Sequence, residues 1–179
     1  ILDEIQCGIG RTGKFWAFEH FDIVPDLLTS GKALGAGLPI GCLVANRKLM
    51  DQFSANPMIG HITTFGGHPL PCAAAAEGLK IIREEKLLEG VAQKAALFNQ
   101  LLKHQSIVEI RQKGLMLAIE LESEELVKQV VLKGLEKGIL LFWFLSTPNA
   151  FRLAPPLNIK ESEIKEGCET ILQILTNIC

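Results

Sequence analysis

From Pro69 onward the apolar residues recur first at helical and then at strand spacing, and that switch limits what this chain can fold into. Leu79, Ile82, Leu87, Leu88, Val91, Ala95, Phe98, Leu101 and Leu102 follow the helical period and predict two helices, roughly 69–85 and 87–104. Pro69 and Pro71 suit a first helical turn, where a missing N–H costs nothing. Ile107 to Gln112, the pair Lys113-Gly114 and Leu115 to Leu121 read as a β-hairpin, although Lys-Gly is not the strongest turn pair. Ser123 can cap a helix that ends at Gly138. Short strands are expected at Ile139 to Phe144 and Ala150 to Ala154, and an amphipathic helix at Glu161 to Ile178. The aromatic run Phe142-Trp143-Phe144 reads as core.

Residues 1 to about 68 have another character: loop-rich, glycine-heavy, with short apolar runs at Leu27-Leu28 and Ile40 to Ala45. Gly41 to Ala45 reads as a buried strand and Arg47 to Phe53 as a short helix. The chain is therefore expected to be α/β in two parts, 1–75 and 76–179, joined within the long helix near residue 75. Antiparallel pairing belongs to the second part. Ile1-Leu2-Asp3 reads as the end of a buried strand, so a piece of a longer protein is expected.

Composition narrows the function. A net charge of −2 lacks the basic footprint of a nucleic-acid binder. The longest uninterrupted apolar run, Ile139 to Leu145, is far too short to span a membrane, and no signal-peptide pattern opens the chain. Apolar residues make up 48% of the chain, which suggests surfaces meant for burial against something else. The five cysteines (7, 42, 72, 168 and 179) are odd in number and scattered, as suits a reducing cytoplasm. The four histidines (20, 61, 68 and 104) form no metal-ligand spacing.

The residue of most chemical interest is Lys32, in the run Thr29-Ser30-Gly31-Lys32-Ala33-Leu34-Gly35-Ala36-Gly37-Leu38-Pro39-Ile40-Gly41. Few polar neighbours and burial ease deprotonation of an amine, and a neutral amine can form a Schiff base with a carbonyl. Asp3 supplies a carboxylate of the kind that pairs with a protonated pyridine nitrogen. Taken alone, Lys32 reads first as a surface loop lysine, and Asp3 can be simply a turn or cap acid and Thr64 part of an ordinary turn. Arg152, within the apolar run Phe151 to Pro156, reads either as a rim salt bridge or as a bidentate carboxylate ligand.

The glycine run Gly8-Ile9-Gly10-Arg11-Thr12-Gly13-Lys14 satisfies a dinucleotide fingerprint and nearly a phosphate-binding loop. Phe15 stands where a magnesium-binding hydroxyl is needed, and no amphipathic helix follows. Nucleotide binding would depend on Lys14. The other reading is a glycine loop that lets backbone pack closely.

Four motifs occur in order: Leu2-Asp3-Glu4-Ile5-Gln6-Cys7-Gly8, then Ser30-Gly31-Lys32-Ala33-Leu34-Gly35, Thr63-Thr64-Phe65-Gly66-Gly67-His68-Pro69 and Phe151-Arg152-Leu153-Ala154-Pro155-Pro156-Leu157. Together they resemble the C-terminal portion of a class III aminotransferase of the ornithine and acetylornithine type, dependent on pyridoxal 5'-phosphate (PLP). The resemblance implies a fold-type-I transferase: the end of the large cofactor domain plus the small C-terminal α/β domain. It implies that Lys32 carries the cofactor and that Asp3 faces the ring nitrogen. Gln6 is implied to hydrogen-bond the ring hydroxyl and Thr64 to hold phosphate across a homodimer interface, while Arg152 binds the carboxylate of an amino acid or 2-oxo acid. The phosphate-binding turn, the aromatic stacking on the ring and the acid that masks the arginine are implied to lie upstream, so these residues alone are expected to be inactive. Racemase or decarboxylase chemistry on the same Lys32 and Asp3, or a non-catalytic interaction module, are the alternatives.

Overall fold

The computed structural model describes residues 1–178; Cys179 lies outside the described residues. The chain forms two compact units, Ile1–Leu88 and Glu89–Cys179.

The first unit holds a three-stranded sheet of order β1-β2-β3, from Leu2–Asp3, Leu27–Gly31 and Gly41–Ala45. β1 and β2 run parallel with Asp3 level with Thr29, while β3 returns antiparallel with Gly41 opposite Gly31. Leu28 and Ser30 lie on the buried face of β2. β3 was expected to be buried and is not: Leu43 is 37% and Val44 50% exposed. It is an edge strand, and an apolar run cannot report whether a layer covers it. A short helix follows (α1, Arg47–Met50), started by the Asn46 side chain, which accepts from the Leu49 N–H at 3.0 Å.

α2 spans Pro69–Glu84, with both prolines near its start and His68 Nδ1 accepting from the Leu70 N–H. A β-carbon on Gly78 would lie 2.8 Å from that of Ala36, so the helix packs hard against the turn after β2. That packing keeps the whole of α2 with the first unit and places the division after Leu88, not near residue 75.

The second unit is an antiparallel sheet of order β4-β5-β7-β6, from Ile107–Lys113, Met116–Leu121, Ala150–Leu153 and Phe142–Trp143. Its helices are α3 (Val91–Leu101), α4 (Glu124–Glu136) and α5 (Glu161–Ile178). The hairpin register pairs Lys113 with Met116, so the two turn residues are Gly114 and Leu115, one later than the sequence suggested. Gly114 supplies φ +57° at the first turn position, which a primed turn reserves for glycine. Ser123 caps α4 through the Leu126 N–H, and Gly138 follows at φ +81°.

Alternation along β5 and β7 sends Leu117, Ile119, Leu121, Phe151 and Leu153 into one core with Val91, Phe98, Val127, Val130, Ile164, Ile171 and Leu175 from the helices. Phe142 and Trp143, expected in that core, are each 50% exposed. They occupy a two-residue edge strand whose alternation splits them: Phe142 aligns with Arg152 on the open face, Trp143 with Phe151 on the helix side.

Candidate active site

The first unit brings Asp3 and Lys32 to one end of its sheet. Both follow from strand direction. Asp3 ends β1, Gly31 ends the parallel β2, and Lys32 is the next residue. Open α/β sheets bind ligands outside the carboxyl ends of such strands. With Asp3 level with Thr29, the Lys32 backbone lies three residues further on, about 10 Å at the rise of an extended strand.

Lys32 opens a short 3-10 turn, Lys32–Gly35, and adopts φ +45°. A non-glycine residue in the left-handed region costs about 1–3 kcal/mol, and glycine would remove most of that strain. A lysine held there points to a need for its side chain. The turn carries Lys32 past the last paired residue and leaves it exposed. Ala36 (φ +48°) against Gly78 and Gly37 (φ +98°) fix the path behind it. The Ser30 hydroxyl, two residues before Lys32, is buried with no hydrogen-bond partner among the described residues.

Asp3 is exposed, and its Oδ1 accepts from the Ile5 N–H at 2.9 Å, which sets the turn leading to Gln6. Gln6 is exposed in that turn, and Thr64 is exposed in the turn before α2.

The neighbouring Glu4 is the residue the sequence did not single out. It is 2% exposed, and its carboxylate accepts from the Ala17 N–H at 2.9 Å and the Phe18 N–H at 2.8 Å. The Cys7 thiol donates to the same carboxylate at 3.2 Å; burial, that bond and the negative charge push the Cys7 pKa up to about 11. Glu4 thus ties the strand end to residues 17 and 18 and steadies Asp3 beside it. The only sequence signal was an acid next to an acid at a strand end.

The same hydrogen bonds argue against a phosphate cradle in the glycine run. The Gly8 N–H donates to Glu4 O at 3.0 Å, Gly10 to Phe15 O at 3.1 Å and Gly13 to Gly10 O at 3.0 Å. The glycine amides that would line an anion are thus spent internally. A β-carbon at Gly8 would lie 2.7 Å from Glu4 O and 2.9 Å from the Trp16 ring, so this glycine serves close packing.

Arg152 lies in the second unit, in β7, aligned with Ala118 of β5 and Phe142 of β6 on the face away from the core. Its guanidinium carbon sits 5.5 Å from the Phe142 ring centroid. It makes no salt bridge among the described residues. Arg111 on the same face is committed to Glu109 at 2.8 Å and to Glu120. Glu120 also accepts from Asn149 Nδ2 at 3.0 Å, and its bonds with Arg111 hold its carboxyl below the usual range.

Known proteins are similar to this chain in sequence and in fold. The acetylornithine aminotransferase of Caldanaerobacter subterraneus subsp. tengcongensis is 42% identical over 183 aligned positions, which cover 99% of this chain and 45% of that protein. The succinylornithine transaminase of Yersinia pseudotuberculosis is 37% identical, with 100% and 44% covered. Among solved structures, an ornithine aminotransferase from Toxoplasma gondii, with partial occupancy of PLP at its active site, superposes at a TM-score of 0.88. It is 35% identical, with 98% of this chain and 42% of that one covered. A Bacillus anthracis aminotransferase superposes at 0.88 with 33% identity over 98% of this chain and 44% of that one. The chain spans less than half the length of these relatives. The family model for class III aminotransferases matches residues 1–175, and the chain belongs to that family.

Proposed function

We propose that these residues serve a PLP-dependent aminotransferase that moves the amino group of an amino acid of ornithine, acetylornithine or related ω-amino type to a 2-oxo acid such as 2-oxoglutarate. The observation that carries this reading is Lys32 at φ +45°, at the end of β2 beside the end of the parallel β1, where Asp3 stands.

The donor set fits PLP: an exposed amine for an aldehyde, a carboxylate for a ring nitrogen, and an exposed hydroxyl at Thr64 for a phosphate. Gly41, opposite Gly31, leaves open space at the strand ends next to Lys32. When bound, the cofactor supplies an aldehyde carbon for amino groups and a ring that accepts electrons from the substrate carbon.

Lys32 Nζ would hold the cofactor at rest; once released, its neutral amine would take a proton from the substrate carbon as general base, and the resulting ammonium would give that proton up again as general acid. Asp3, oriented by the Ile5 N–H, keeps the ring nitrogen protonated. Gln6 hydrogen-bonds the ring hydroxyl. Thr64 binds phosphate from across a homodimer interface. Arg152 forks around a substrate carboxylate and sets its orientation.

The test is amino transfer to unlabelled 2-oxoglutarate by the complete enzyme, with two donors in separate runs: acetylornithine carrying 15N on its free δ-amino group, and ornithine carrying 15N on both amino groups, whose free α-amine leaves racemisation and decarboxylation open. Label in glutamate, lost at least about a thousandfold in Lys32→Ala, is the expected result. Racemised or decarboxylated donor without labelled glutamate would move the reading to another chemistry on the same lysine. The 179 residues alone are expected to give no turnover.

A further inference from the structure

Arg152 presents an unusual state for an arginine in a sheet: half-buried, without a carboxylate partner among the described residues, and with an aromatic ring against it. The other guanidinium on this face is held by two glutamates. Glu120, the carboxylate nearest in register, accepts Arg111 at one oxygen and Asn149 at the other, so it does not compete for Arg152. On the β5 side Arg152 faces only the methyl group of Ala118; on the β6 side it faces Phe142.

We propose that Phe142 is a positioning residue for Arg152: the ring fixes the guanidinium and leaves its N–H fork open to a substrate carboxylate. The proposal rests on the reading of Arg152 as the carboxylate ligand. A ring within about 6 Å attracts a guanidinium by its quadrupole and engages the π system, not the N–H groups. All five N–H donors stay available. Holding a long, rotamer-rich side chain in one orientation before binding removes an ordering cost that would otherwise weaken the complex. A glutamate at position 142 would fix the arginine too, but it would occupy the fork. An aromatic ring on an edge strand fixes it without occupying it, which explains why Phe142 is kept half exposed outside the core.

The experiment compares Phe142→Leu, Phe142→Tyr and Arg152→Gln in the complete enzyme loaded with cofactor. It reads KM and kcat for 2-oxoglutarate, together with the half-reaction of a primary amine that carries no carboxylate. Phe142→Leu keeps the apolar bulk and loses the ring. The expected result is a KM for 2-oxoglutarate raised about fivefold, with kcat and the amine half-reaction within about twofold of the parent. Phe142→Tyr keeps the ring and is expected to match the parent. Arg152→Gln is expected to raise the same KM by much more.

A Phe142→Leu variant with unchanged KM, beside an Arg152→Gln variant with raised KM, overturns the positioning role and leaves the Arg152 reading standing. An Arg152→Gln variant with unchanged KM overturns both. Losses shared by Phe142→Tyr, or falling equally on the amine half-reaction, reduce Phe142 to a packing residue and also overturn the proposal.

Discussion

At the scale of single residues, Lys32 is where structure and chemistry pull apart. Its backbone sits in the region that favours glycine, at φ +45°. Lys32→Gly relieves about 1–3 kcal/mol of strain and adds about 0.5–1 kcal/mol of unfolded-state entropy, a net gain near 1 kcal/mol. We therefore expect Lys32→Gly to raise the denaturant midpoint of the cofactor-free enzyme while activity is lost. Lys32→Ala keeps the strain and should not raise it. Equal midpoints for the two variants would show that the position carries no strain. The role proposed for Lys32 was legible in the sequence only through its neighbours, since Ser30 to Gly35 resemble a family motif. Its exposure and its φ were not, because both depend on where the sheet ends. Glu4 stayed hidden for a related reason: its partners Ala17 and Phe18 lie 13 and 14 residues away in sequence.

Among elements, those with a strong period were read well. α5 occupies the residues the amphipathic pattern marked, and α4 begins at the cap that Ser123 offers. Edge strands were read poorly. β3 and β6 are apolar and exposed, and hydrophobicity along the chain does not say which strands have two neighbours. The contact between α2 and the turn after β2 was equally invisible, although it sets the path of the Lys32 loop. Alanine at Gly78 gains about 1 kcal/mol of helix propensity. The methyl group would then meet that of Ala36, and overpacking of this kind costs about 1–3 kcal/mol. We expect Gly78→Ala to lower stability by about 1 kcal/mol and to weaken PLP retention. Adding Ala36→Gly should restore both, since it removes the opposing methyl at a φ of +48° that glycine prefers. Failure of the second change to rescue the first would locate the effect elsewhere than in this contact.

Across the whole molecule, the two units differ in what holds them together. The large apolar cluster draws only on residues from Val91 onward, so the second unit has a core of its own. In the first unit the buried apolar side chains are few, among them Ile9, Leu28 and Ala75. Every residue from 51 to 70 is exposed there, Phe65 and the candidate phosphate ligand Thr64 included. Arg152, by contrast, stands on the sheet that packs against the core of the second unit. The most direct measurement is borohydride reduction of the complete PLP-treated enzyme, followed by peptide mass mapping. A phosphopyridoxyl mass on the Lys32 peptide, absent from Lys32→Ala, is the expected result. A stable adduct on another lysine, or none in an enzyme that still transfers amino groups, would contradict the role given to Lys32.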